Sequence, residues 1–194
     1  MKKLFLVTGA FVLMTIAATA QTAQFGVKAG VNVSSIKVST GSDFDSKAGL
    51  YAGGLAHIHL SRNFAIQPEV VYSMQGGKNG NVTRRQNYIN IPVLAQYMTN
   101  TGFRLETGPQ IGFVVAAKNK VGDVETDVKD GMKTAEFGWT VGAGYLFPKT
   151  GFGIDARYNF GITSILEAET PEARNMVLQV GVFYHLPGHT HLNK

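Results

Sequence analysis

Three histidines have the side chains and spacing that could bind a metal ion. His57 and His59 are one residue apart, so on an extended strand their imidazoles lie on the same face, roughly 7 Å from each other. His185, near the end of the chain, could supply a third ring, and a metal site requires three or four convergent ligands. A hydrogen-bond network in a polar interior explains the same residues more simply. We therefore predict no metal site and no cofactor site.

Acidic and basic side chains could in principle perform general acid–base chemistry. Three of each recur at alternate positions of extended segments: Glu69, Glu106, Asp155, Lys28, Arg104 and Arg157. Because their charges balance, they are typical of an ion-pair network that fills an interior. The sequence contains no serine-nucleophile motif, phosphate-binding glycine loop or zinc-protease helix motif. We predict that the protein is not an enzyme and has no catalytic residues.

The segments that carry these residues alternate apolar and polar side chains. In "LYAGGLAHIHL" every second residue is apolar or small, and the two histidines lie on the other face. Such alternation over about ten residues, without a fully apolar run, is typical of a membrane-spanning β-strand. Eight strands are predicted, near 24–36, 48–60, 64–76, 86–98, 102–117, 134–147, 151–163 and 173–186.

The connections between these strands alternate between long and short. Polar, glycine-containing connections follow strands 1, 3, 5 and 7, whereas "SRN", "TNTG" and "PKT" follow strands 2, 4 and 6. Outer-membrane barrels have short periplasmic turns and longer extracellular loops. We therefore predict an all-β fold, an eight-stranded antiparallel up-and-down transmembrane β-barrel with this topology.

Strand parity assigns each residue type to one face of the barrel. The outward face near the short turns is predicted to carry an aromatic girdle: Phe25, Phe64, Tyr97, Phe103, Phe147, Phe152 and Tyr184. A less complete upper girdle has Tyr72, Phe113, Trp139 and Phe160 as candidates. The inward face is predicted to carry fourteen polar residues: Lys28, His57, His59, Gln67, Glu69, Asn90, Gln96, Arg104, Glu106, Gln110, Asp155, Arg157, Asn159 and Gln179. Glycines on the same face, such as Gly142 and Gly144, leave room for the long side chains.

The N-terminus has the pattern of a cleavable signal peptide. Lys2 and Lys3 precede an apolar stretch from Leu4 to Ile16, and Ala18–Ala20 form a small-x-small cleavage site. The predicted organisation is a signal peptide at 1–20, an outer-membrane barrel at 21–186 and a tail at 187–194 that contains His189 and His191. The 194 residues include no cysteine, and the net charge of +5 is diffuse, so no nucleic-acid partner is expected.

Five segments resemble the strand motifs of the PorT-like outer-membrane β-barrel family: "FGVKAGVNVSSI", "RNFAIQPEVVYSMQGGK", "YINIPVLAQY", "LETGPQIGFVVAAK" and "DARYNFGITSI". The resemblance covers nearly the whole chain from about Gln24 to Leu186. It implies an eight-stranded barrel in the outer membrane of a Gram-negative cell. It implies little about activity, although the namesake branch is linked to protein secretion across that membrane.

Our leading hypothesis is a small non-enzymatic outer-membrane barrel with a structural or interaction role. Its partners would be outer-membrane lipid and a protein that contacts the extracellular loops, of which the charged segment 118–133 is the most plausible surface. The alternatives are a secretion-system component, an outer-membrane enzyme, a soluble lipocalin-like carrier and a narrow pore. A lipocalin-like carrier would require the opposite parity, with its apolar face inside. The sequence leaves the oligomeric state open.

Overall fold

The structure is a computed structural model that describes residues 23–39, 43–166 and 172–187. The predicted signal peptide lies outside the described residues, as does almost all of the predicted tail, including its histidines. No helix within the described ranges is long and apolar enough to span a membrane.

The described residues form an antiparallel β-barrel. The strands are β1 (Ala23–Val38), β2 (Phe44–His59), β3 (Phe64–Asn79), β4 (Val82–Met98), β5 (Phe103–Val121), β6 (Val124–Asp127), β7 (Ala135–Leu146), β8 (Phe152–Gly161) and β9 (Ala173–His185). Eight of these strands pair in a closed ring, in which β4 pairs with β5, β5 pairs with β7, and β9 pairs with β1. Strand β6 pairs only with the end of β5, outside the ring. The predicted all-β, eight-stranded up-and-down barrel is confirmed.

The barrel has two different ends. At one end, which we call the turn end, short connections follow β2, β4 and β7. The remaining connections lie at the other end, which we call the loop end. Several strands run further towards the loop end than the sequence predicts. Strands β3 and β4 stay paired up to Asn79 and Val82, so the predicted long connection "GGKNGNVTRRQ" is largely a hairpin. Its two-residue turn contains Gly80 with φ +53°, a conformation that favours glycine.

The predicted loop after β5 is also partly ordered into strands. Strand β5 continues to Val121, turns at Gly122 (φ +58°) and returns as β6, and a short 3-10 helix follows at Lys129–Gly131. Polar composition indicates that a segment leaves the membrane, but it does not end a β-ladder, because main-chain hydrogen bonds continue in water. The sequence therefore located the ends of the apolar band and not the ends of the strands.

The outer face is apolar and the girdle at the turn end is confirmed. Phe25 and Phe152 are 61% and 56% exposed, and the other predicted rings lie on the same outer face. Neighbouring strands bring rings together, with centroids 5.3 Å apart for Phe64 and Tyr97. The inner face is polar, because charged residues such as Arg157 are buried there. A lipocalin-like carrier requires the reverse arrangement, so that alternative is wrong.

Glycines on the inner face allow the long interior side chains to fit. A Cβ atom at Gly142 would lie 2.8 Å from the Ala156 carbonyl oxygen, 2.8 Å from Arg157 Cγ and 3.0 Å from Glu106 Oε1. On the outer face, a Cβ at Gly54 would meet only a backbone oxygen at 3.8 Å.

We expect Gly142→Ala to destabilise the barrel by about 1–3 kcal/mol, because the added methyl group overpacks the interior. Gly54→Ala, the matched control, should change the free energy of unfolding by less than about 0.5 kcal/mol. Denaturant titration of the two variants in the same detergent measures both values. Equal stabilities would contradict the role given to Gly142.

Candidate functional site

Charged side chains meet in the middle of the lumen in a cluster that we call the ionic layer: Lys28, Glu69, Glu106, Asp155 and Arg157. Lys28 Nζ lies 2.9 Å from Asp155 Oδ2 and 3.3 Å from Glu69 Oε2. Arg157 donates two hydrogen bonds to Glu69, at 2.7 and 2.9 Å, and also contacts Glu106 and Asp155. All five residues are buried, so each charge depends on its neighbours rather than on water.

Neutral side chains donate further hydrogen bonds to the carboxylates. Gln67 donates to Glu69 at 2.7 Å, and Gln96 donates to Glu106 at 2.8 Å. Tyr51, an interior residue that the sequence analysis missed, donates to Asp155 at 3.3 Å. These carboxylates are buried and are held by the side chains around them. Their arrangement is that of a polar core.

Arg104 departs from the expected pairing. It is buried on the inner face, but its guanidinium lies over the Phe183 ring, 4.8 Å from the ring centroid. Among the described residues it makes no ion pair within 4 Å, and its Nε has no hydrogen-bond partner. The ring face provides the cation with an electrostatic partner in place of a carboxylate. Charge balance alone could not reveal this, because the aromatic ring belongs to the last strand.

The three histidines do come together near the turn end. The His57 ring lies 4.5 Å from the His59 ring and 5.0 Å from the His185 ring, measured between centroids. His57 Nδ1 is 3.1 Å from Gln67 Oε1, and His185 Nδ1 is 3.1 Å from Gln24 Oε1. His59 lies beside the inward-facing His57 but is exposed at the mouth of the barrel. No group of metal-ligating side chains with suitable geometry occurs among the described residues.

The loop-end half of the lumen contains an acid that the sequence analysis missed. Glu136 is buried, and its Oε2 accepts a hydrogen bond of 2.9 Å from Asn175, which also donates to the Tyr88 hydroxyl at 2.8 Å. Among the described residues no cation lies within ion-pair distance of Glu136. Glu136 is separated from Gly142 and Gly144 by an even number of residues on the same strand, so it could have been identified as an inward residue.

An apolar plug closes the lumen at the loop end. It consists of seven buried residues: Ile36, Tyr88, Val114, Ala117, Met132, Ile165 and Ala173. Main-chain contacts fix the loops in the plug, because Ile165 N–H donates to the Ala173 carbonyl at 2.8 Å and Lys133 N–H donates to the Ile165 carbonyl at 2.9 Å. The lumen is therefore closed by apolar packing at one end and filled by the ionic layer in the middle.

The segment 118–133 contributes Met132 to the plug and presents its mixed charges outside it. Glu125 bridges Arg85 at 3.1 Å and Lys118 at 3.4 Å, and all three side chains are exposed. On the opposite side of the same loop-end rim, a hydrogen bond from Lys37 lowers the pKa of Asp43. These pairs contribute little stability, because water screens exposed charges. They are available for contact with a partner.

A buried and an exposed carboxylate, each bridging two cations, provide a matched test of the ionic layer. We expect Glu69→Ala to cost about 3–5 kcal/mol of unfolding free energy, because it leaves buried cations undercompensated. Glu125→Ala, which removes the exposed bridge, should cost at most about 1 kcal/mol. Denaturant unfolding in micelles compares them, and similar losses would mean that the ionic layer is hydrated.

Solved outer-membrane barrels have the same fold. Neisserial surface protein A (NspA) is 18% identical, with a TM-score of 0.62, over 84% of this chain and 99% of that chain. Ail, the attachment invasion locus protein of Yersinia pestis, is 14% identical, with a TM-score of 0.55 and the same coverages. A comparison with curated proteins finds no significant match.

A family model agrees with the structure. The model described as "Outer membrane protein beta-barrel domain" matches residues 19–167, which include β1 to β8. Together with the apolar outer face and the closed ring of strands, this match supports an outer-membrane location for the barrel. The chain belongs to the outer membrane protein beta-barrel domain family.

Proposed function

We propose that the protein is a small non-enzymatic barrel that contacts a protein partner through the surfaces at its loop end. One observation carries the proposal: the lumen is occupied by the ionic layer and covered by the apolar plug. Among the described residues, these two clusters occupy the lumen, which favours a role outside it over a role for the interior. The exposed surfaces outside the lipid are then the places where a specific role can lie.

The arrangement at the loop end supports such a contact surface. Strands β5 and β6 form a paired extension outside the barrel ring, and β6 is exposed along its whole length. A strand-supported surface loses less conformational entropy on binding than a mobile loop does. Its mixed charges favour a polar partner surface rather than an apolar one.

The orientation and the cellular origin are part of this proposal. Because the connections at the turn end are short, we infer that this end faces the periplasm and the loop end faces outside. Export by a signal peptide at 1–20, a Gram-negative source and membership of the PorT-like branch stay predictions. A role in a secretion system would place the same loop-end surface against another component of that system.

Site-specific photocrosslinking in living cells tests the proposed surface. A photoreactive residue placed at Asp123 or Thr126, in the β5–β6 extension, should capture one recurrent protein partner. The same residue at Lys149, which is exposed in a turn-end connection, is the matched control and should not capture it. Capture from both ends, or from neither, would contradict a specific contact surface at the loop end.

The pore alternative is tested separately. We expect no steady conductance from the purified barrel in planar bilayers, because both the plug and the ionic layer obstruct the lumen. Ile165→Asp, which disrupts the plug but not the ionic layer, should also remain closed. Steady unit currents from either protein would contradict a filled lumen.

A further inference from the structure

We propose that a groove on the outer face of β2–β5, near the loop end, binds the anionic phosphate headgroup of a membrane lipid. The groove has a volume of about 600 Å³. Met74, Asn87 and Ala116 lie along it, and three cationic side chains, Lys47, Arg85 and Lys118, surround it. We call it the basic groove. It lies on the outside of the barrel beside β6, which contributes Glu125 to its lining, and the plug residue Ala117 also borders it.

The floor of the basic groove follows from strand register. Met74 pairs with Asn87, and Asn87 pairs with Ala116, so the three residues form one row across β3, β4 and β5. Met74 is 41% exposed, and its two neighbours are shorter and only partly exposed. Short side chains in a row of a barrel wall leave a depression, and here the depression begins where apolar side chains give way to polar ones.

The row below the floor marks the adjacent apolar region. Tyr72, Ile89 and Phe113 pair across the same three strands, closer to the turn end by two residues on β3 and β4 and by three on β5, where the register shifts. They are 41%, 37% and 40% exposed. Two residues along a strand correspond to roughly 7 Å. An acyl chain lying on this row would therefore have its headgroup at the basic groove.

The cations around the basic groove outnumber its acids. Arg85 and Lys118 are partners in the β4–β5 register and share Glu125 as their bridging carboxylate. Lys47 makes no ion pair with any described carboxylate, and its ammonium contacts only the Ala48 carbonyl, at 3.5 Å. With three cations and one carboxylate, the groove has an unneutralised positive charge beside an apolar surface.

Two other exposed cations of the loop-end rim are each neutralised by one acid. Lys37 is paired with Asp43 at 2.7 Å, and Arg174 is paired with Glu172 at 2.9 Å, one acid for each base. An anionic lipid complements the basic groove in both respects, because its phosphate meets the cations and its chains meet the apolar row. Free inorganic phosphate would satisfy only the first of these two features.

Native mass spectrometry of the full barrel tests the proposal. The protein is released from micelles that contain equal amounts of phosphatidylglycerol and phosphatidylcholine, and the retained lipid is counted. We expect preferential retention of phosphatidylglycerol. Lys47→Gln should reduce the preference about fivefold, and Lys47→Gln/Arg85→Gln/Lys118→Gln should reduce it more than about tenfold.

A matched variant controls for net charge. Arg62→Gln/Lys129→Gln/Lys149→Gln removes three exposed cations outside the basic groove and should retain phosphatidylglycerol as the unmodified barrel does. Lys47→Gln breaks no described ion pair, so its result is interpretable even if the triple variant folds poorly. Equal losses in the control, or no loss in Lys47→Gln, would overturn the proposal. Displacement of the lipid by inorganic phosphate, but not by chloride of equal ionic strength, would overturn the assignment to a lipid.

Discussion

The buried charge of Arg157 is the constraint on which the rest of the interior depends. An eight-stranded barrel has an interior only wide enough for its own side chains, so a guanidinium there cannot keep a hydration shell. Three acids, Glu69, Glu106 and Asp155, surround it, and Lys28 offsets part of their excess of negative charge. The strands that supply these residues need glycine opposite the long side chains, as at Gly142. The charged side chains of the interior therefore determine both their own pairing and the need for glycine on the strands that face them.

Different contacts line the two ends of the lumen. At the loop end, apolar residues from strands and loops pack into the plug, to which the loops contribute Met132 and Ile165. Towards the turn end, Arg104 stacks on Phe183, and His57 and His185 lie beside each other. Dispersion forces stabilise the packing at the loop end, whereas cation–π and ring contacts stabilise the packing towards the turn end. With the lumen occupied in this way, the surfaces proposed to contact a partner lie on the outside of the barrel.

Strand parity made most of the fold predictable from the sequence. Period-2 alternation identified eight strands, the lipid-facing girdle and thirteen of the fourteen inward polar residues, which are buried. It did not predict the exposure of His59, because alternation specifies a face but not the depth at which the barrel mouth opens. It also failed at the ends of β3, β4 and β5, since polarity marks the membrane boundary and not the end of pairing. The position of Arg104 and the plug depend on contacts between distant segments, which no local pattern contains.

The ionic layer also constrains the order in which the barrel can assemble. Lys28 and Asp155 are separated by 127 positions, and Glu69 and Arg157 by 88, so neither pair can form until β8 has joined the sheet. Such long-range contacts are slow to form, because the entropy of closing a large loop is lost before any contact energy is gained. Until then these side chains need water. We infer that the growing sheet closes around a hydrated interior, and that expulsion of this water accompanies the final pairing of β9 with β1.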